Sequence, residues 1–502
     1  MKYIPHIKSL LITVLFICGL KAFAASSYGR ERAVSPIEFG LLEAKNGIER
    51  FEILKKTHLE AISKGLSVSY KGIDKIDLEI PETASSIKIT TTTDFDGVQI
   101  NVLNRQKGFF LFEYSAQATK IDIGKALIDR GNFLSVPELR KGKHLLVVTD
   151  NNKWVEKRSG YSYGHTRKDI LLVKGGVAVN SVVMPYNNSY SSPACYYYSV
   201  SNTPIIIKNL ILNRDSLSTR RTYLVKITGC DNVRIENVTV NTPTDGTLVS
   251  DDIIDISDCT NVAFTNVSLN GSYSRKDYSG YGISMNNVWN FYADKLFATA
   301  NWGIFGTNNV SDVLIRNSDI NRFDIHCYGR NVRCVNTVFR DQYNQFSSVF
   351  GKIEFDKCRF VDFVPVMMES SYNAFVPVSL CFSDCEWDLT SKHYYLVQLG
   401  NVGKTRNQRP ELSEKYLPDV NIKNMKINAS DKVANAYLFL GCKTISASAP
   451  INRSSEVRIV GMTLNGNNSN YSGKFLISDS NTMTGAIVKT YAKFSNIEVV
   501  ER

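Results

Sequence analysis

The sequence has no Cys-x-x-Cys pair, no apolar run long enough to cross a bilayer, and few Asn-Gly or Asp-Gly steps. Each absence removes a class of reading. Without paired cysteine spacing, the ten cysteines do not describe a zinc module. The N-terminal apolar run, Leu10 to Leu20, falls short of the roughly 20 residues a membrane-crossing helix needs. Tight hairpins favour Asn-Gly or Asp-Gly, so their scarcity weighs against an antiparallel sandwich. The chain is basic, with a formal charge of +11, but carries no recognised nucleic-acid-binding motif.

What is present is a register. Asn232-Val233-Arg234-Ile235-Glu236-Asn237-Val238-Thr239-Val240 sets it out, and Asn261-Val262-Ala263-Phe264-Thr265-Asn266-Val267-Ser268-Leu269 repeats it. A third copy runs from Asp312 through Val313, Ile315, Asn317 and Ile320, and degenerate copies begin near Pro204, Asn290, Asn331, Lys352, Ser379, Asp419, Glu456 and Ala492. Intervals of about 20 to 40 residues belong to solenoids. Two apolar residues separated by one spacer share a strand face. The Asn that follows takes a left-handed turn at low cost. A third apolar pair precedes each unit, as in Val225/Ile227, Ile254/Ile256, Ile283/Met285 and Ile325/Cys327. Three short strands per turn describe an all-β, right-handed parallel β-helix.

With its Asn at the tight turn, this coil resembles the pectate-lyase-like superfamily of polysaccharide lyases, glycoside hydrolases and phage tailspikes, over about residues 85 to 502. The resemblance implies the fold and a sugar-binding groove along one strand face, but leaves the chemistry open, because this architecture hosts many activities.

The ends read differently. Lys2 and Lys8, the apolar run and Ala22-Phe23-Ala24 make residues 1–24 a secretory signal peptide, so the mature chain is expected to be secreted or periplasmic. Bulky Phe16-Ile17 before Cys18 argues against lipidation. Loss of Lys2, Lys8 and Lys21 lowers the formal charge to about +8, still suited to a polyanion or simply to a solvated surface. Residues 25–84 read as an N-terminal cap, in which Leu41, Ile48, Phe51, Leu54, Leu59 and Ile62 fall largely at helical spacing. Such a cap covers the exposed edge of the first coil. Residues 85–502 read as the β-helix, with less regular first coils from Ser86 to about Asp150 and a long loop from Trp154 to Asp169. Cys230 and Cys259, like Cys358 and Cys385, occupy equivalent places in successive coils and are expected to stack as small buried residues.

Candidate chemistry concentrates in Asn321-Arg322-Phe323-Asp324-Ile325-His326-Cys327-Tyr328-Gly329-Arg330. With Ile325 and Cys327 inward, Asp324, His326 and Tyr328 point outward, and Arg322 stands at the loop leading in. Imidazole beside carboxylate, phenol and guanidinium moves protons near neutral pH. The same set also reads as a hydrogen-bonded ladder. Lys226, Asp255 and Ser284 form one outward column, with His326 as its expected continuation. Trp302 and Asn308 offer a stacking plane and a polar contact. His165 and Arg167, beside Tyr161, Tyr163 and Lys168, suit an anionic sugar or a soluble loop, as does Arg275 beside Lys276. Arg330 completes the candidate substrate contacts.

The acidic run from Asp245 to Asp252 invites comparison with β-helix polygalacturonases, but the Gly-His-Gly and Arg-Ile-Lys motifs are missing. Asp251, Asp252 and Asp255 offer oxygen ligands to calcium, or only solvation. No other cofactor is implied.

The leading expectation is a polysaccharide lyase acting by β-elimination on a uronate-containing, glycosaminoglycan- or pectin-like chain, with His326 or Tyr328 as base and Arg322 or Arg330 neutralising the uronate. The alternatives are a glycoside hydrolase using two of Asp255, Asp324 and Glu369, and a non-catalytic glycan-binding β-helix.

Overall fold

The computed structural model describes residues 32–103, 109–155, 164–214, 222–242, 252–271, 281–298, 303–340, 342–368, 376–390, 393–400, 415–430, 435–440, 451–453, 455–466, 475–476, 492–495 and 499–501. The expected signal peptide, residues 1–24, lies outside them. Among the described residues no helix is long and apolar enough to cross a membrane.

One large parallel sheet dominates, each strand pairing with its counterpart one turn later. The register matches the sequence repeat: Val233, Ile235, Val238 and Val240 lie opposite Val262, Phe264, Val267 and Leu269. All eight are fully buried. Inside the coils Phe264, Phe291, Phe305, Phe323 and Phe346 form an aromatic ladder with successive ring centroids 5.1 to 5.5 Å apart, in which Phe305 and Phe323 are strand partners and the other rings meet from offset positions.

The turn asparagines do the work that their sequence position implies. Asn209, Asn237 and Asn266 are left-handed, with φ of 59°, 53° and 53°. Each donates its amide to the residue one coil back, Asn209 to Asp94 at 2.8 Å, Asn237 to Asn209 and Asn266 to Asn237 at 3.0 Å. A side-chain ladder thus bonds the corners, where backbone pairing is interrupted.

The N-terminal helix, α1 (Gly47–Lys64), is capped by Asn46, whose side chain accepts from the Glu49 amide at 2.8 Å, and it ends at left-handed Gly65. Its buried face is Phe51, Leu54, His58 and Ala61, while Ile48 and Leu59 are exposed. His58 contacts the Tyr70 hydroxyl at 3.1 Å, and burial lowers its pKa to about 3. Leu41 is buried from a short 3-10 turn ahead of the helix.

The chain departs from the expected first coils after Ser115. Strands Thr119–Ile121, Lys143–Val155, His165–Lys174, Val177–Ala178 and Pro193–Ser199 form a separate five-stranded antiparallel sheet. With helix α2 (Lys125–Arg130), this sheet encloses its own core around Phe133, Leu139, Leu146, Leu171 and Tyr186. The stretch Leu145–Val148, expected in a coil, belongs here, and the described ends of the expected long loop lie in paired strands, with His165 opposite Val155. The insert docks on the corner of the solenoid. Tyr196 and Tyr198 donate to Asp258 at 2.8 and 2.9 Å, the Lys168 amide donates to Asn309 at 2.9 Å, and the Trp154 indole donates to Ser348 at 3.0 Å.

Cys230, Cys259, Cys334, Cys358 and Cys385 are buried free thiols within the coils. Among the described residues no group of three or more metal-ligating side chains is assembled.

Candidate active site

Pairing fixes which side chains share the outward face. Reading along the coils, Glu113, Lys226, Asp255, Ser284, Gly306, Asp324 and Gln345 stand in one column. Asp324, not His326, therefore continues the column of Lys226, Asp255 and Ser284. His326 follows Ile325, which lies opposite Thr307, so it extends the neighbouring column of Ser257, Asn286 and Asn308. Strand alternation allows both, because Asp324 and His326 lie on the same face.

The group that organises this face is Tyr281. It lies opposite Gly303, and its ring leans across Gly306, where an added Cβ would come within 2.3 to 2.7 Å of ring atoms. Its hydroxyl reaches the coil after that of Gly306, 2.7 Å from Asp324 Oδ2 and 2.9 Å from His326 Nε2. Arg322 Nε lies 2.8 and 2.7 Å from the two Asp324 oxygens, its Nη2 2.6 Å from Oδ2, and its guanidinium stacks 4.1 Å from the Tyr343 ring centre. The Gln345 backbone N–H adds a donor to Asp324 Oδ1 at 3.1 Å.

Burial alone would raise the Asp324 carboxyl, but Arg322 and then His326 outweigh it and hold the group below its usual value. An ionised carboxylate only accepts hydrogen bonds. The phenol therefore donates to Asp324 and receives the Nε2 proton of His326, which fixes the imidazole tautomer. Asp324 is completely buried, whereas the His326 side chain keeps 16 % exposure and Tyr281 is half-buried. The floor is thus anionic and fixed, and the proton-carrying groups sit above it.

Several expected contacts lie elsewhere. Tyr328 is fully buried with φ of 71°, packing with Cys327 against Trp154 and Phe350 rather than lying on the outward face. Cys327 likewise belongs to that satellite cluster and not to the coil core. Arg322 is 2 % exposed and bound to Asp324, so it orients the carboxylate instead of meeting a substrate. Arg167 is buried in the insert, its guanidinium 3.6 Å from the Tyr186 ring centre and donating to the Met184 and Pro185 carbonyls. Arg330 bridges Asp312 at 2.9 Å and Ser181 at 3.1 Å, tying coil to insert. His165 starts the insert's second long strand.

Lys226 and Asp255 remain on the outward column, half-buried; burial raises the Asp255 carboxyl, with Lys226 opposing. Asn308 is half-buried in the column that leads to His326. Arg275 and Trp302 lie outside the described residues, as do Tyr161, Tyr163, Lys276, Asp245, Asp251 and Glu369, and of Asp252 only the backbone is described.

Tyr281, Tyr343 and Gln345 escaped the sequence reading. The available signal for Tyr281 was Gly303 and Gly306 one coil downstream, a pair of missing side chains opposite a large aromatic.

Comparison with solved structures agrees with the coil geometry. The tailspike protein gp49 from Pseudomonas phage LKA1 superposes with a TM-score of 0.54 at 14 % identity, covering 93 % of this chain and 80 % of that one. The chain is a right-handed parallel β-helix. The β-helix is also similar to the gp54 tailspike of Acinetobacter baumannii bacteriophage AP22, solved with capsular saccharide (TM-score 0.48, 10 % identity, 92 % and 79 % covered). A hyperthermoactive exopolygalacturonase from Thermotoga maritima gives a TM-score of 0.36 at 11 % identity, with 95 % and 93 % covered. No protein-family model and no curated protein matches the sequence.

Proposed function

We propose that this β-helix is an exported polysaccharide lyase that cleaves an acidic, uronate-containing glycan by β-elimination, with Tyr281 and His326 as its proton-transfer pair. The observation that carries the reading is the Tyr281 hydroxyl held 2.7 Å from Asp324 and 2.9 Å from His326 on an outward strand face. His326 takes the proton beside the uronate carboxylate on Nδ1, since Nε2 already carries its proton, the carbon–oxygen bond to the leaving sugar breaks as the C=C bond forms, and Tyr281 delivers its proton to the leaving oxygen. The 2.9 Å contact then passes a proton from imidazole back to phenol. Asp324, held ionised by Arg322, orients the phenol and stabilises the imidazolium. With Arg322 and Arg330 engaged, Asn308 is the polar side chain best placed to bind the substrate carboxylate. Lys226 and Asp255 extend the same face for neighbouring sugar units.

The carboxylate geometry weighs against hydrolysis by Asp255 and Asp324. Three coil steps separate them, about 14 Å at the usual strand spacing, whereas paired glycosidase carboxylates stand about 5–9.5 Å apart. That the similar β-helix gp49 of Pseudomonas phage LKA1 is a tailspike supports an extracellular setting.

The test is incubation of the purified protein with a panel of polyuronates and glycosaminoglycans, following the ultraviolet absorbance of the new C=C bond. Absorbance that rises with the parent and not with Tyr281→Phe supports the reading. Reducing ends appearing without absorbance would mean hydrolysis, and retained binding with no product would mean a glycan-binding scaffold.

A further inference from the structure

A second recess lies around the Asn287 corner from the Tyr281 face, between the insert and the solenoid. It is an open cleft of about 460 Å³ walled by Asp129, Arg130 and Val179 on the insert and by Trp289, Asp312 and Arg330 on the coils. That volume falls within the range of small-ligand sites, roughly 300–1,000 Å³.

Its back wall is locked. The Trp289 indole donates to Asp312 Oδ2 at 2.7 Å, and Arg330 donates to the same carboxylate at 2.9 Å and to Ser181 Oγ at 3.1 Å. Asn331 adds a third donor to Asp312 at 2.9 Å. The half-buried indole is thereby held against the insert, and its position requires no ordering when a ligand arrives.

At the mouth two carboxylates balance two guanidiniums, but among the described residues both carboxylates have their hydrogen-bond partners and one guanidinium does not. Asp312 is spent on Arg330, Trp289 and Asn331. Asp129 is spent on the backbone amides of Tyr186 and Asn187, at 2.6 and 2.7 Å. Arg130, exposed at the end of α2, has no partner among the described residues. Val179 is 53 % exposed beside it. An aromatic wall, an exposed aliphatic contact and an uncommitted guanidinium fit a ring with an apolar face and an anionic substituent.

The geometry points to a second carbohydrate-binding site in this cleft, separate from the Tyr281 face, that takes an acidic sugar unit with its C–H face on Trp289 and Val179 and its carboxylate on Arg130. The choice of a uronate rests on the glycan reading of the protein; the site itself rests on the cleft.

Ligand-detected saturation-transfer NMR with methyl β-glucuronide and methyl β-glucoside tests it on the full chain. Tyr281→Phe is expected to keep glucuronide binding while losing turnover. Arg130→Ser and Val179→Glu, both at exposed positions that leave folding intact, are expected to weaken glucuronide binding at least fivefold. In these variants, activity on short oligosaccharides that do not reach the cleft is expected to be unchanged. Glucoside is expected to bind more weakly and to ignore Arg130→Ser. Glucuronide binding that is unaffected by both insert variants, or that depends on Tyr281 face residues alone, would overturn the site. So would the absence of any saturation transfer. Equal binding of glucoside and glucuronide would overturn the assignment to an acidic sugar. A protein without lyase activity that still binds glucuronide through Arg130 would retire the catalytic reading and leave this one standing.

Discussion

Two Arg-x-Asp segments in this chain have each drawn a tyrosine to the aspartate, and they behave differently. Arg322 and Asp324 lie on the coil with Tyr281, whereas Arg167 and Asp169 lie in the insert with Tyr186. In the coil, Arg322 touches both carboxylate oxygens at 2.7–2.8 Å and holds Asp324 below the usual carboxylate value. In the insert, Arg167 stands 3.9 Å from Asp169, donates from Nη2 to two carbonyls instead, and burial pushes that carboxyl up. Every member of the insert set is closed over. Only the coil set adds a partly exposed imidazole. Identical side chains thus yield a charged floor with a proton relay in one place and a packed polar joint in the other. Neutralisation at contact distance and one open side make the difference.

The largest test of this contrast is kinetic. Tyr281→Phe and His326→Ala are expected to lower turnover on the glycan by about 100- to 10,000-fold with only a small fall in melting temperature, because Arg322 and the Gln345 backbone N–H still donate to Asp324. Tyr186→Phe is expected to leave turnover within about twofold of the parent, since general acid–base loss has no counterpart there. Equal losses at Tyr281 and Tyr186 would erase the distinction.

Next comes Gly306→Ala. The new Cβ meets the Tyr281 ring at 2.3 Å and must displace it. Misplacing a reacting group by about 1 Å can cost on the order of a hundredfold, so a drop in kcat close to that of Tyr281→Phe is expected. Near-parental kcat in Gly306→Ala would show that the ring position over Gly306 is not required.

On the insert side the effect is on stability. Tyr186→Phe removes the 2.8 Å donor to buried Asp169, and leaving such an acceptor short costs about 1–3 kcal/mol. Denaturant unfolding of the insert signal measures it.

The smallest effect separates the two carboxyls by sign. Asp324 is depressed in the fold, so its contribution is present above its unfolded pKa and lost as pH falls through the lower folded value. Asp169 is raised, so the fold binds its proton more tightly than the unfolded chain and stability declines as pH climbs through the range between the two values. Asp324→Asn is therefore expected to flatten the acid limb of the stability profile and Asp169→Asn the limb just above it. Matching slopes from the two variants would show that the environments do not differ as described.

How much of this was legible in the chain follows from what repeats. Ile235 and Phe264 could be placed inward because the pattern recurs in register, and the asparagine corners followed from their left-handed preference. The Arg322 to His326 segment was recognisable because strand alternation is local. The insert was not, since Leu145–Val148 reads equally well as a buried parallel strand, and only its partners distinguish the two. Tyr328 was placed outward by alternation, but the chain turns after His326 and buries it. The column that His326 occupies is open in the sequence for the same reason: Asp324 and His326 are two residues apart on one face, and only pairing with Gly306 decides which continues it. Tyr281 was beyond reach because its role depends on two glycines a coil away.

The attachment of the insert has a consequence for how this molecule could have been assembled. Ser115 lies opposite Thr228, and Ile205 opposite Val233. In the later coil, Gly229, Cys230, Asp231 and Asn232 bridge those two positions; in the earlier one, residues 116–204 do so. The insert is therefore a side branch grafted at a single corner, and the winding on either side continues as though four residues stood there. A chain in which those four replace 116–204 keeps every strand pairing of the solenoid, so the branch can be exchanged between β-helices without rewinding them.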